Sequence, residues 1–321
     1  MRIKLIKILL LLVTAILLIQ GGISAGIING KDGNANRDNK KDLATAGDGD
    51  MSSRLDSTDE SGEKELKDVR YETFPIVCQI GPKDTYYQYS NSKLAWYMIR
   101  NEEHKPTGCD DTVDITACDG YHIDSTATEE DKVMYLTFDC GYENGYTDDM
   151  LDVLKKHQVP ACFFVTQTYI RDNVELMKRM KEEGHQVGNH TVTHPSMPDV
   201  SYEEIIEEVE GCADYMQEAT GYPMDPYLRP PMGEYSERTL RITRDLGYET
   251  VFWSMAYMDY DVNDQPGSAY VVEHFEKYHH NGAIILMHNV SSSNAQALDQ
   301  VLTNMKAKGY RFASLNELRQ K

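Results

Sequence analysis

The sequence predicts an α/β fold: a distorted (β/α) barrel of about seven parallel strands, preceded by an N-terminal extension and a flexible tether. From residue 133 onward, short apolar runs alternate with segments of helical period. Glycines stand where several of these helical segments end, and polar residues follow most of the apolar runs. Strands that alternate with helices must be parallel and joined by crossovers, which gives an open sheet or a barrel. Seven such units favour the barrel.

The first residues are typical of an export signal. Arg2, Lys4 and Lys7 precede an uncharged run from residue 8 to residue 30, with small residues suited to cleavage at 23–25. The same run is long enough to cross a bilayer, which takes about 20 apolar residues. Residues 1–28 are therefore either a cleaved signal peptide or a retained membrane anchor. Both alternatives place the remaining chain outside the cytoplasm, secreted or attached to the membrane.

Two further segments precede the barrel. Residues 29–67 are rich in Asp, Asn, Gly, Ser and Lys and cannot bury enough apolar surface to fold, so we expect a disordered linker. Residues 68–130 contain several aromatic residues without a clear period. We expect this extension to pack on the barrel; the alternative is that its rings line a sugar-binding groove. The barrel domain then spans residues 131–321.

Turn and cap residues set the bounds of the barrel elements. Thr147 is expected to cap the first helix, and Ser201 with Glu204 forms a capping box for the third. Gly184 and Gly247 end the second and fourth helices. The predicted strands are 133–138, 161–165, 186–189, 227–229, 249–254, 283–287 and 310–313. The predicted helices are 147–157, 173–183, 202–220, 236–246, 268–278 and 294–308.

Charge and cysteine content limit the possible partners. The formal net charge is −20, which excludes nucleic acid because phosphate binding needs a basic surface. The chain has six cysteines, and outside the cytoplasm these could form disulfides. Cys162 and Cys212 lie in apolar patterns and are predicted to be core residues. Cys109 and Cys118 flank an Asp-rich loop and are a candidate disulfide pair.

Polar residues cluster just after the predicted strands. In a parallel barrel these strand ends meet at one face, so we expect the side chains to converge there. His190 and His194 are four residues apart; on a helical turn they would point the same way and could bind one cation. The polar residues at the strand ends are Asp139, His190, His194, Arg229, Asp259 and His288.

Four short motifs occur in order along the chain: Thr137-Phe138-Asp139, His190-Thr191-Val192-Thr193-His194, Arg229-Pro230-Pro231-Met232-Gly233 and Leu286-Met287-His288. Together they resemble the motifs of the polysaccharide deacetylases of carbohydrate esterase family 4, and the resemblance covers about residues 131–321. The finer pattern at 137–147, 188–190 and 252–254 resembles the spore-cortex muramic acid de-N-acetylases. Those enzymes prepare peptidoglycan for muramic δ-lactam formation.

The resemblance implies a metal-assisted hydrolysis of an N-acetyl group. It makes Asp139 the general base, Arg229 its ionic partner, His288 the general acid and Asp259 the residue that supports His288. It also implies a divalent metal, for which we expect zinc, bound by His190 and His194.

Position 140 departs from the family, which usually has a second, metal-binding Asp there. A thiolate is a good zinc ligand, so Cys140 is a candidate third ligand. The alternative is a small neutral residue that leaves the metal to the two histidines.

Four residues on the same face are candidate substrate contacts: Tyr142, Asn144, Trp253 and Tyr257. The resemblance implies peptidoglycan glycan strands as the partner and N-acetylmuramic acid as the target. We expect an exported monomer that faces the cell wall or spore envelope. One alternative is an N-acetylglucosamine deacetylase acting on peptidoglycan or another glycan. Another is a cell-wall-binding protein whose catalysis is impaired by Cys140.

Overall fold

The structure, a computed structural model, describes residues 73–319. The predicted signal or anchor at 1–28 and the predicted linker at 29–67 lie outside the described residues, as does the start of the extension. None of the helices in residues 73–319 is long and apolar enough to cross a membrane.

The extension consists mainly of short strands and turns that contact the barrel. Its strand β1 (Leu94–Ala95) pairs antiparallel with a barrel loop, whereas β2 (Met98–Ile99) and β3 (Gly108–Cys109) pair with each other. A fourth strand, β4 (Gly120–Tyr121), joins the central sheet. A side chain at Gly120 would lie 2.8 Å from the Ile115 carbonyl oxygen, so the close approach requires glycine.

Eight parallel strands form the central sheet, and β4 is one of them. The other seven correspond to the predicted strands, with bounds that differ by up to three residues. They are β5 (Val133–Cys140), β6 (Ala161–Val165), β7 (Gln186–Asn189), β8 (Tyr227–Leu228), β10 (Glu249–Val251), β11 (Ala283–His288) and β12 (Arg311–Phe312). The remaining strand, β9 (Glu234–Tyr235), is the partner of β1.

The sheet curls until its ends meet. Its order is β11-β5-β6-β7-β8-β10-β4, and β12 pairs with the first two residues of β5. Isolated bridges join Ile123 to Ala283 and Met255 to Ile285, so the side of β4 and β10 contacts β11. The predicted distorted (β/α) barrel is therefore confirmed. The sequence missed β4 because a two-residue strand has no period to detect.

The central strand β5 separates two apolar clusters. All eight of its residues are buried, as expected for a parallel strand covered on both faces. Tyr135 packs with Phe164 in one cluster, whereas Phe138 and Cys140 pack in the larger cluster that includes residues of the helices. Because side chains alternate along a strand, Asp139 lies on the Tyr135 face and Cys140 on the opposite face.

Helices connect the strands and cover the outer face. Those predicted from glycine stops and caps are present, and the sequence missed the short α2, which Thr166 caps. The helices are α1 (Thr147–His157), α2 (Gln167–Asp172), α3 (Val174–Glu182), α4 (Tyr202–Thr220), α5 (Glu237–Asp245), α6 (Ser268–Tyr278), α7 (Ser292–Ala307) and α8 (Asn316–Arg319).

Of two helix caps predicted from the sequence, the structure confirms one and contradicts the other. The capping box of Ser201 and Glu204 at α4 is confirmed. At α1, however, Thr147 is the first helical residue and does not cap the helix. Instead the Glu143 carboxylate accepts hydrogen bonds from the backbone N–H groups of residues 145–147. The sequence pattern did not distinguish a local hydroxyl cap from a carboxylate four residues earlier.

The described cysteines are all free thiols. Cys162 and Cys212 are buried core residues, as predicted. Cys109 and Cys118 both contact the cluster around Trp96, but they form no disulfide, which contradicts the predicted pair.

Candidate active site

The first half of the site is an ion pair at the mouth of the barrel. Asp139 is the second-last residue of β5, and its Oδ1 accepts a 2.8 Å hydrogen bond from Arg229 Nη1. Its Oδ2 lies 3.6 Å from His190 Nε2. Burial opposes the charge on Asp139, but Arg229, and then His190 and His288, outweigh it and hold the pKa of this carboxyl below its usual value. Asp139 is therefore an ionised carboxylate, able to accept a proton.

Arg229 is fully buried and its guanidinium is hydrogen-bonded on several sides. Besides Asp139, it donates to the carbonyls of Val251 at 2.9 Å and Phe252 at 3.2 Å. The guanidinium carbon lies 4.3 Å from the centre of the Phe164 ring. A Cβ at Gly188 would lie 2.7 Å from Phe164, so glycine there leaves room for this ring. A buried charge with this many partners cannot move freely, and it fixes the position of Asp139.

The two imidazoles follow β7 in a tight loop. His190 Nδ1 donates to the Arg229 carbonyl at 2.7 Å, which leaves Nε2 facing Asp139. The ring of His194 lies 4.7 Å from that of His190, centre to centre. The loop between them is not the helical turn considered from the sequence: Thr191 and His194 both have positive φ. The loop thus brings both imidazoles together by strained backbone rather than by helical spacing.

Hydrogen bonds hold that strained loop in place. The N–H of Thr191 donates to Asn189 Oδ1 at 2.9 Å, and the Glu208 carboxylate accepts from both the N–H and the hydroxyl of Thr193. Such backbone costs about 1–3 kcal/mol per residue and persists only where its surroundings impose it. Burial lowers the pKa of His190 to about 4 and also lowers that of His194, so both rings are neutral at pH 7.

The second half of the site is an imidazole supported by a carboxylate. His288 ends β11, where its sheet partner on β5 is Asp139. Its Nδ1 donates to Asp259 Oδ1 at 2.6 Å, and its backbone N–H donates to Asp259 Oδ2 at 2.8 Å. Burial alone would lower the pKa of His288, but the hydrogen bond and charge of Asp259 outweigh it and raise the pKa above 6.5. His288 is therefore suited to donate a proton.

Asp259 is itself held by Asn294, which the sequence interpretation did not assign to the site, and through it by Tyr257, which was assigned a different role. Asn294, on the first turn of α7, donates from Nδ2 to Asp259 Oδ2 at 2.6 Å. The Tyr257 hydroxyl in turn donates to Asn294 Oδ1 at 2.8 Å. Tyr257 is buried behind Asp259, so its predicted role as a substrate contact is wrong. In the sequence this hydrogen-bonded series is visible only as an Asn at a predicted helix start.

The other candidate substrate contacts differ in accessibility. Tyr142 is half exposed and free to meet a ligand with its ring. Asn144 is exposed, but its amide donates to the Val290 carbonyl. Trp253 is half-buried, with the Arg229 guanidinium 5.7 Å from its ring centre. Tyr260, which was not predicted, is half exposed and lies edge-on to His288 at 5.6 Å.

Cys140 cannot reach this site. It points away from Asp139 into the core between sheet and helices, and its thiol lies 3.9 Å from the Phe138 carbonyl. Burial raises the pKa of the thiol well above its usual value, so it stays protonated. The hypothesis that Cys140 is a metal ligand is therefore wrong, and the alternative of a small neutral residue fits the structure. The reason is the two-residue period of the strand, which turns consecutive residues to opposite faces.

These groups have the composition of a hydrolytic site: an ionised carboxylate, an imidazole with a raised pKa and two neutral imidazoles at the mouth of one barrel. The comparisons with known proteins agree with this class. The profile of the polysaccharide deacetylase family matches residues 126–251. The peptidoglycan-N-acetylmuramic acid deacetylase PdaA of Bacillus subtilis is 42% identical over 230 residues, which are 71% of this chain and 86% of that protein.

Two further comparisons extend the match. The solved structure of PdaA, a family 4 carbohydrate esterase, superimposes with a TM-score of 0.68 at 41% identity, covering 72% of this chain and 98% of the other. The peptidoglycan-N-acetylglucosamine deacetylase PgdA of Listeria monocytogenes is 33% identical over 187 residues, 58% of this chain and 39% of that protein. The chain belongs to the polysaccharide deacetylases of carbohydrate esterase family 4, and it is an enzyme of that class.

Enzymes of this family generally use a divalent metal, and the donor set at the site partly fits one. Within residues 73–319, no three His, Cys, Asp or Glu side chains form a ready metal-binding group. The fit lies in the imidazole pair, because His190 is oriented through Nδ1 and leaves Nε2 unprotonated beside Asp139. His190 and His194 would hold the ion, which would supply Lewis-acid chemistry at the mouth of the barrel.

Proposed function

We propose that this protein is an exported enzyme that removes the N-acetyl group from N-acetylmuramic acid in peptidoglycan, as in the muramic δ-lactam pathway of the spore cortex. The observation that supports this target best is the 42% identity with a muramic acid deacetylase across 86% of its length. The motifs at 137–147 and 252–254 favour the same branch. Export, either secreted or anchored to the membrane, is supported by the sequence of residues 1–28.

The proposed reaction uses the two halves of the site in turn. Asp139 takes a proton from water, whose oxygen attacks the acetyl carbonyl carbon. The bond between that carbon and the sugar nitrogen then breaks, and His288 gives its proton to the nitrogen. Acetate and a free amine leave. Zinc, when bound at the imidazole pair, would supply Lewis-acid polarisation of the carbonyl.

The arrangement of charges supports these roles. The guanidinium of Arg229 keeps Asp139 ionised, so it begins the reaction without a proton. The carboxylate of Asp259 keeps the proton on His288, so it begins the reaction charged. Two groups with pKa values shifted in opposite directions are what paired base and acid catalysis needs.

The test is digestion of defined peptidoglycan by the purified chain, with and without chelator. Release of acetate together with de-N-acetylated muramic acid, identified by mass spectrometry, is the expected result. Release of acetate together with de-N-acetylated glucosamine would instead favour the alternative, an N-acetylglucosamine deacetylase, which the match to PgdA supports. Glycan binding without acetate at any metal concentration would contradict both and leave a binding protein. Full activity in the presence of chelator would contradict a requirement for a metal ion.

A further inference from the structure

We propose that Trp96, in the N-terminal extension, is a positioning residue for the catalytic carboxylate. The proposal rests on the deacetylase reaction assigned above. Trp96 precedes residues 126–251, where the family profile matches, so this role belongs to a part of the chain outside that match. Its influence would pass through the segment Phe252–Trp253 to Arg229, and from Arg229 to Asp139.

Trp96 makes three contacts with the loops that surround Arg229. Its indole Nε1–H donates to the Trp253 carbonyl at 2.9 Å. Its ring stacks on Phe252, with centres 4.4 Å apart and an interplanar angle of 18°. Its backbone N–H donates to the Gly233 carbonyl at 2.9 Å, which ties it to the loop that follows Arg229. Trp96 is itself buried, at 6% exposure.

The segment that Trp96 holds supplies part of the Arg229 environment. The Phe252 carbonyl accepts from Arg229 Nη2, and the Trp253 ring lies against the guanidinium. Gly233 has positive φ, and a Cβ there would lie 2.8 Å from Trp253 and 3.4 Å from Trp96. The two tryptophans and the glycine are therefore packed too closely for one to shift alone. Displacement of Phe252 would remove an acceptor from a buried guanidinium whose other end holds Asp139.

A strand pairing anchors this contact. The neighbouring strand β1 pairs with β9, in register Leu94 with Tyr235 and Ala95 with Glu234. Trp96 thus extends directly from a hydrogen-bonded strand into the gap between two barrel loops. A long aromatic side chain placed from a fixed backbone is suited to hold those loops at a set distance.

The experiment compares Trp96→Phe, which keeps a stacked ring but loses the indole donor, with Trp96→Leu, which loses both. We expect kcat for acetate release to fall by about tenfold in the first and about 100-fold in the second, because small displacements of catalytic groups have effects of that size. KM for the glycan is expected to change less than kcat. Equal loss in the two variants, or a loss confined to KM, would contradict the proposal.

A matched control separates positioning from stability. Tyr86→Phe removes another hydrogen bond between the extension and the barrel, the 2.8 Å bond to Asp245, which has no contact with Arg229. We expect a similar fall in melting temperature for Tyr86→Phe and Trp96→Phe, but unchanged kcat for Tyr86→Phe alone. A second control places Trp96→Phe in an Arg229→Lys background. In that background the effect of Trp96→Phe on kcat should largely disappear. If the losses of kcat in the two single variants multiply in the double variant, the proposed influence through Arg229 is wrong.

Fluorescence keeps the test independent of the substrate. The chain has two tryptophans, so in both Trp96 variants Trp253 is the sole tryptophan and can be excited selectively over the tyrosines. We expect acrylamide to quench Trp253 more strongly in Trp96→Leu than in Trp96→Phe; equal quenching would contradict the proposal. If the wild type releases acetate only from N-acetylglucosamine glycans, the muramic target fails while the kcat comparison stands. If it releases none, the proposed function fails and the quenching decides the positional claim.

Discussion

On the side of the proposed base, Asp139 faces a guanidinium, whereas on the side of the proposed acid Asp259 faces an imidazole. Both carboxylates are buried, and both are part of short hydrogen-bonded pairs. On the base side the carboxylate itself is the group presented to the site. On the acid side the carboxylate is hidden and its partner, His288, is presented. In the proposed mechanism the same residue type thus serves as base or as support according to its neighbour.

The two sides also differ in the burial and hydrogen bonding of their residues. Arg229 is completely buried and also donates to two backbone carbonyls, one of them the Phe252 carbonyl next to the extension. The His288 side chain keeps about a quarter of its surface exposed, at 23%. A base must be fixed relative to the water it activates, whereas an acid must reach a leaving nitrogen. The difference in burial matches that difference in task.

The largest expected effect comes from the base. Asp139→Asn keeps an acceptor for Arg229 but cannot take a proton, so kcat should fall by about 10³-fold. Acetate release under saturating substrate measures it. Asp225→Asn is the matched control, because Asp225 is also a buried carboxylate in an ion pair, with Lys181. It should lose stability and keep kcat; an equal loss in both variants would show that burial, and not base catalysis, explains the effect.

Loss of the acid should have a smaller effect. His288→Gln removes the proton donor, and we expect kcat to fall by about 10²-fold, because water can protonate part of the leaving amine. The rate should also lose its decline at alkaline pH. A pH profile of kcat checks this, with His185→Gln as the control for a buried histidine that contacts Ala161 instead. An alkaline decline that persists in His288→Gln would assign the acid to another group.

Asp259→Asn tests how the acid is tuned. Asp259 raises the pKa of His288 against the opposing effect of burial, so without its charge that pKa should fall. Since the proposed reaction needs protonated His288, the alkaline decline should begin at lower pH. Each unit of pKa lost then reduces the protonated fraction about tenfold at pH values above both. The profile of kcat/KM measures the shift, and Asp261→Asn, a nearby exposed carboxylate, should leave it in place. An alkaline decline that does not shift in Asp259→Asn would contradict the inference that Asp259 raises the pKa of His288.

Strand ends were predictable from the sequence, and with them most of the site. A run such as 133–138 that stops at Asp139 marks both a buried strand and its polar end, and the same reasoning located His288 and Arg229. The environment of Arg229 was not predictable, because its partners include the carbonyls of Val251 and Phe252, and every residue has a carbonyl.

The sequence analysis also missed residues that contact the site from distant segments of the chain. Trp96 lies in a region with no period, and Asn294 was interpreted only as the start of a helix. Their importance comes from contacts with residues 253 and 259, which are distant in sequence. The loop at 190–194 shows the same limit, since the carboxylate of Glu208, which lies on a later helix, accepts from Thr193 between the two left-handed residues Thr191 and His194. Tertiary contacts decided each of these features.

The smallest expected effect tests the two faces of β5. Cys140→Ser places a hydroxyl in the apolar core one residue from the base, and we expect the free energy of unfolding to fall by about 1–3 kcal/mol, the usual cost of a poorly paired buried hydroxyl. Bound zinc and kcat of the folded enzyme should not change, because the side chain faces away from His190 and Asp139. Metal analysis of wild type and Cys140→Ser, with His194→Ala as the variant that should lose zinc, gives the comparison. Loss of zinc in both Cys140→Ser and the more conservative Cys140→Ala would mean that the thiol reaches the site after all, and that the separation of base and core along this strand is not maintained in solution.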